Sequence, residues 1–234
     1  MSDNQGLSDV RVRRWRTACL YLAQRWEVVF FLVVYLLLVF QVFFFVVDIK
    51  SLSYLHWAVA VFASFESFVV HDLAYVSLVA ILLPVLYLLL CPGRPPWTRK
   101  YLDVVGVYVV FRMAIQLVGL NLLVFDSVTP RFLLVTQLLF FLPYSLLIWG
   151  WVYWRLDRAA SSGSRRLFRL DCEGEFPRPI DYLIASFSSV FSASISGIKG
   201  NSARARILIL AHGFLIYDVM GLTLSRAVAL VQGK

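Results

Sequence analysis

Apolar runs as long as a membrane crossing recur along this chain, and they constrain its fold more than any other feature. A helix needs about 20 apolar residues to cross a hydrocarbon core of about 30 Å. Residues 27–47, EVVFFLVVYLLLVFQVFFFVV, meet that length, as do 71–91, 103–125, 131–154 and 204–232. Backbone groups in lipid have no water to bond to, so such runs are expected to satisfy themselves as helices. Composition agrees: 60% of the 234 residues are hydrophobic, where soluble domains hold about 45–50%. The expectation is an all-α, polytopic integral membrane protein with five transmembrane helices, its bundle spanning residues 27–154 and its last crossing at 204–232.

The polar stretches punctuate this pattern. Residues 1–26 are basic and too long for a cleaved signal peptide, and 10–26 read as an amphipathic helix. Trp15, Cys19, Leu22 and Trp26 share one face and Arg11, Arg14 and Arg25 lie towards the other, which suits the headgroup boundary. Residues 54–90 are too many for one straight span. Either two spans turn tightly at His71-Asp72, or an interfacial helix over 54–69 precedes a single span over 71–91 that Pro84 kinks. The one sizeable polar loop is 155–179, and WGWVYW (149–154) before it reads as an interfacial aromatic belt. The net charge of +8 is assigned to loops held at the anionic inner leaflet rather than to nucleic acid.

Ionisable groups inside the spans are few and costly. They are Glu66, Arg112, His212 and Asp218. Tyr108, Arg112 and Gln116 recur every four residues and make a polar stripe on one helix. Arg112 needs a carboxylate partner, for which Glu66 and Asp218 are the candidates. The stripe is then either a structural ion pair locking two helices or part of a conduction path. His212 and Asp218 are six residues apart, so they point about 120° from each other and cannot pair within one helix. Cys19, Cys91 and Cys172 lack metal-ligand or disulfide spacing. The chain carries no HExxH, GxSxG or phosphate-binding loop. Hence no enzyme, metal or cofactor is expected.

Residues 181–231 read as one unit: DYLIASFSSVFSASISGIKGNSARARILILAHGFLIYDVMGLTLSRAVALV. This resembles the pore module of two-helix potassium channels, in which an acidic residue opens a short pore helix, a filter follows, and a basic residue starts a long inner helix. The resemblance places Asp181 at the pore-helix start, Ser186 at its small mid-helix residue, and Arg204 or Arg206 at the inner-helix start. The filter falls on Ser192, Ala193, Ser194, Ile195 and Ser196. A group of bacterial membrane proteins of the ion-channel type is also similar, through YWRLD (153–157) and SRAVAL (225–230), so the resemblance covers about 150–231. It implies a homotetramer with a central pore, passing monovalent cations, in a bacterial inner membrane. Ser194 and Ser196 stand where the family has filter glycines, whose freedom at positive φ aims carbonyls at the ion. Potassium selectivity is therefore not implied, and these serines face either an ion path or another helix.

The basic residues of 1–26, 91–100 and 155–179 fall on one side of a five-span layout, the cytoplasmic side by the positive-inside rule. A re-entrant pore segment would then enter from the cytoplasm, inverted relative to potassium channels. A full crossing by 180–198 would instead return the C-terminus to that side. Two further functions stay open: a small-solute transporter using Arg112, Glu66 and Asp218, which the lack of an internal repeat disfavours, and a non-conducting sensor or docking module.

Overall fold

The computed structural model describes residues 25–44, 57–91, 95–125, 131–161, 166–171, 177–191 and 197–231. The described residues are mostly helical. Helix α1 covers Trp26–Phe44. A continuous helical run follows, made of α2 (Trp57–Ser67), a π-helical turn (Phe68–Asp72), α3 (Leu73–Ser77), a second π turn (Leu78–Leu82) and α4 (Leu83–Leu90). Next come α5 (Thr98–Phe125), α6 (Arg131–Ser161), strand β1 (Phe168–Leu170), α7 (Pro179–Phe191), strand β2 (Ile198–Gly200) and α8 (Ala203–Val231).

Two sequence expectations change. The chain does not reverse at His71-Asp72, nor does an interfacial helix stop before a separate span. The helical run passes through that dipeptide in a π turn. Pro84 explains the second π turn beside it. Proline has no N–H to offer the carbonyl four residues back, that of Ala80. The Tyr101 hydroxyl of α5 donates there instead, to the Ala80 and Ile81 carbonyls at 3.0 Å each. Helix α6 also runs past residue 154 to Ser161, taking the start of the expected 155–179 loop into the helix. Two helices, Thr98–Leu122 and Ala203–Ser225, meet membrane-crossing length and apolarity over the described residues, and Trp26–Gln41 and Tyr75–Leu90 are shorter apolar helices there.

The helices are pinned together at one end by polar side chains. Glu27 at the start of α1 accepts from Arg99 of α5 at 2.9 Å and from the Trp151 indole of α6 at 3.1 Å. Asp103 accepts a two-pronged contact from Arg155 of α6, at 2.8 and 3.0 Å, and also pairs with Arg99. Forked arginine–carboxylate contacts fix orientation as well as distance. Arg25 bonds the Leu88 and Leu89 carbonyls, filling acceptors that the last turn of α4 cannot satisfy internally. Packing beside these contacts is aromatic and tight. The Trp151 ring lies over Gly106, where any side chain would collide with it.

Strands β1 and β2 form an antiparallel pair with Phe168 opposite Gly200 and Leu170 opposite Ile198. The chain between them, α7 included, therefore leaves from and returns to one place, so 180–198 does not pass from one end of the bundle to the other. Asp157 near the end of α6 builds this junction. Its Oδ1 accepts from the backbone N–H of Leu167 (2.8 Å) and Phe168 (3.0 Å), and its Oδ2 from the Tyr182 hydroxyl of α7 (2.5 Å). Gly197, at φ +95°, makes the turn into β2, a conformation that favours glycine.

Removing the Asp157 carboxylate strands two backbone donors and a buried hydroxyl. Each unsatisfied buried group costs about 1–3 kcal/mol. Asp157→Ala should therefore destabilise the purified protein by about 3 kcal/mol or more, and Tyr182→Phe by about 1 kcal/mol. Thermal or denaturant unfolding in detergent reads both. Equal losses for the two variants would contradict the clamp.

Candidate functional site

Helix α7 starts where the sequence places it. Pro179 occupies the first helical position, where a missing N–H is harmless. Asp181 lies in the first turn, and its Oδ2 accepts from the Arg178 N–H at 2.6 Å while its own N–H bonds the Arg178 carbonyl at 3.0 Å. This reciprocal arrangement is the acidic half of a capping box. Along one face, Tyr182, Ala185, Ser186 and Ser189 are buried. The Ser186 hydroxyl donates to the Leu146 carbonyl of α6 at 2.8 Å, and that of Ser189 to the Ser186 carbonyl at 2.6 Å. Gly150 lets α7 come this close, since a Cβ there would meet the Leu183 side chain at 2.5 Å. Ser186 thus serves a helix–helix contact, while Ser189 satisfies its hydroxyl within α7. The filter-like positions Ser192, Ala193, Ser194, Ile195 and Ser196 lie outside the described residues, as does the amphipathic N-terminal segment except Arg25 and Trp26.

The other side of α7 is open and apolar: Ile180, Ile184 and Phe191 are exposed, Phe191 at 89%. Helix α8 has a matching division. Ala205, His212, Leu215, Val219 and Leu222 are buried, while Ile207, Leu210, Phe214, Tyr217 and Leu224 are exposed. The exposed set, with Gly221 in register, follows alternating steps of three and four, the seam spacing of helices that pack on one another. Ser202 caps α8 by accepting from the Ala205 N–H at 3.2 Å.

The intramembrane polar candidates fall into three separate groups. His212 is fully buried between α6 and α8. Its Nδ1 bonds the Tyr153 hydroxyl at 3.0 Å and its ring stacks on Trp149 at 4.9 Å. Asp218 is half-buried and accepts from the Asn121 amide of α5 at 2.6 Å. Asp218 is therefore paired with Asn121, not with Arg112. The other carboxylate considered for Arg112, that of Glu66, lies against Gly119 and forms no ion pair with Arg112 among the described residues.

The third group is the stripe on α5. Arg112 is 1% exposed, yet among the described residues no carboxylate forms an ion pair with it. Gln116 donates through Nε2 to the side-chain Oε1 of Gln41 in α1 at 3.0 Å, a partner the sequence does not single out. Glu66 reaches in from α2, and its carboxylate sits directly over Gly119. Tyr144 and Tyr35 flank the stripe. The Tyr144 hydroxyl donates to the Val109 carbonyl at 2.9 Å, and that of Tyr35 lies 3.4 Å from the Ser77 hydroxyl.

Sequence reasoning also missed Glu27, Asp103 and Asp157, although two of their contacts involve YWRLD. Tyr153 holds His212, Trp154 packs edge-on against Trp26 at 4.3 Å, Arg155 holds Asp103, and Asp157 holds β1 and α7. Groups of three or more potential metal ligands are absent among the described residues. Comparison with protein-family models, curated proteins and solved structures gave no match.

A side chain at Gly119 would displace the Glu66 carboxylate. Gly119→Ala should destabilise the protein, and Glu66→Ala should relieve part of that loss. A double-mutant cycle by thermal unfolding is expected to show about 1 kcal/mol of coupling, within the range for contacting residues. Strictly additive effects would mean that the two residues do not touch.

Proposed function

We propose that this protein is a polytopic inner-membrane protein of five crossings, with an ion path at the axis of a homo-oligomer, a tetramer by resemblance. The observation that carries the reading is the α6–α7–α8 arrangement. A short helix leaves a β junction, lies along a long outer helix, and the chain returns to the same junction before a long inner helix. A pore segment that dips into a membrane requires this topology, and a linker or a full crossing does not. Irregular backbone at membrane depth is tolerated only where protein or water surrounds it.

The exposed surface supports burial in lipid and in copies of the chain. Val104, Val107, Phe111 and Val118 on α5, and Val79, Leu83, Tyr87 and Leu90 on the run ending in α4, lie open. A soluble monomer rarely exposes apolar patches of that extent. The exposed seam of α8 and the open face of α7 offer apolar surface for association of copies. The ionic contacts gather Arg25, Arg99 and Arg155 at one end, and the hairpin carrying Arg169 and Lys199 is tied there through Asp157. By the positive-inside rule this end faces the cytoplasm. The N-terminus is then cytoplasmic, and α7 dips in from the cytoplasmic side.

The test uses the full chain with its native cysteines replaced by serine. Phe214→Cys or Tyr217→Cys on the exposed seam should cross-link copies in native membranes under mild oxidation, and Leu215→Cys on the buried face should not. In planar bilayers, the purified protein should pass monovalent cations. Absence of current across voltage, pH and tension overturns conduction. A monomer in native-like lipid overturns the pore at a symmetry axis.

A further inference from the structure

We infer that Arg112 heads a binding site for a small monovalent anion, a halide or a carboxylate, inside the helix bundle and separate from the α7–α8 module. The inference stands on unpaired donors. Arg112 is 99% buried, counted as the complement of its 1% exposure, and neither its Nε nor its Nη2 has a hydrogen-bond partner among the described residues. The Tyr108 hydroxyl, one turn earlier on the same face of α5, is also buried and unpartnered. The next residue of the stripe, Gln116, bonds Gln41 of α1, and the Tyr144 hydroxyl of α6 bonds the Val109 carbonyl beside Tyr108, so this face of α5 lies between those two helices. Three N–H or O–H donors are thus left without partners along one buried face.

Buried donors of this strength are seldom left unmade, and a buried guanidinium without a counter-charge is costlier still. Among the described residues no carboxylate forms an ion pair with Arg112, and that of Glu66 rests over Gly119 instead. An anion bridging Arg112 Nε and Nη2 with the Tyr108 hydroxyl satisfies all three donors at once, in the fork geometry that suits a carboxylate or a single halide. Gln116 is locked by Gln41 one turn further on and closes the stripe on that side. Glu66 opposes the anion by like charge, so its ionisation weakens binding and its neutralisation strengthens it.

The experiment measures thermal unfolding of the purified full chain at constant ionic strength, replacing gluconate, too bulky to fit between helices, with chloride in one arm and acetate in the other. The expected result is a saturable rise in melting temperature. Response to chloride alone identifies a halide site, and response to acetate a site that accepts carboxylates. Tyr108→Phe should move the midpoint to about tenfold higher anion, the loss of one charge-assisted hydrogen bond. Glu66→Gln should move it to lower anion, and Arg112→Gln should abolish the response. No anion dependence in the wild-type chain overturns the site, as does an unchanged midpoint in Tyr108→Phe. A Glu66→Gln protein that melts earlier and ignores anions assigns Arg112 to a structural ion pair instead. None of these readouts depends on conduction.

Discussion

The placement of the C-terminal third rests on one carboxylate. Asp157 accepts three hydrogen bonds, two from the backbone entering β1 and one from the Tyr182 hydroxyl. It sets where the chain turns after α6 and where α7 begins. Because β1 then pairs with β2, it also fixes where the chain must return before α8. A buried carboxylate is costly unless its lone pairs are filled, and here three donors fill them. The same three donors would each be stranded without it. The arrangement is therefore mutually enforcing: α6, the hairpin and α7 form a unit or none of their polar groups is satisfied.

The rest of the bundle follows a related economy. Apolar side chains fill both the interior and much of the outer surface, so they do little to say which helix face turns inward. Polar groups supply that information. Glu27, Arg99, Asp103 and Arg155 tie α1, α5 and α6 at one end. Gln41–Gln116, Asn121–Asp218 and Tyr153–His212 set the rotation of α1, α5, α6 and α8 further along. Between helices packed by dispersion alone, hydrogen bonds and small residues choose the partner and the depth of approach. Gly106 under Trp151 and Gly150 under Leu183 are the small residues in question.

Much of this was legible in the sequence, unevenly and for physical reasons. Hydrophobic length announced α5 and α8, and the resemblance that put a helix start at Asp181 announced α7. The Arg112 stripe showed as a spacing of four. The run from Trp57 to Leu90 was misread because its length suggested a break, whereas two π turns absorb the strain without one. Pro84 was visible, but the Tyr101 hydroxyl that satisfies the carbonyl opposite it comes from another helix. Pairings were the least legible. Asp218 could be listed as a partner for Arg112, but only three-dimensional packing assigns it to Asn121. Asp157 sat inside a motif noticed by resemblance, without its spacing revealing that it bonds a backbone ten residues on.

Two electrostatic features of opposite sign end up in different parts of the fold. Helix α7 starts at the β junction, so its C-terminal end at Phe191 is carried away from the basic end of the bundle. A helix C-terminus carries about half a negative charge, and no basic side chain lies in the last turn of α7. The potential at that end of the helix is therefore negative. Arg112, with its unpaired donors, lies instead in the layer made by α1, α2, α5 and α6. The C-terminal end of α7 and Arg112 thus belong to different helices and to different packing contacts.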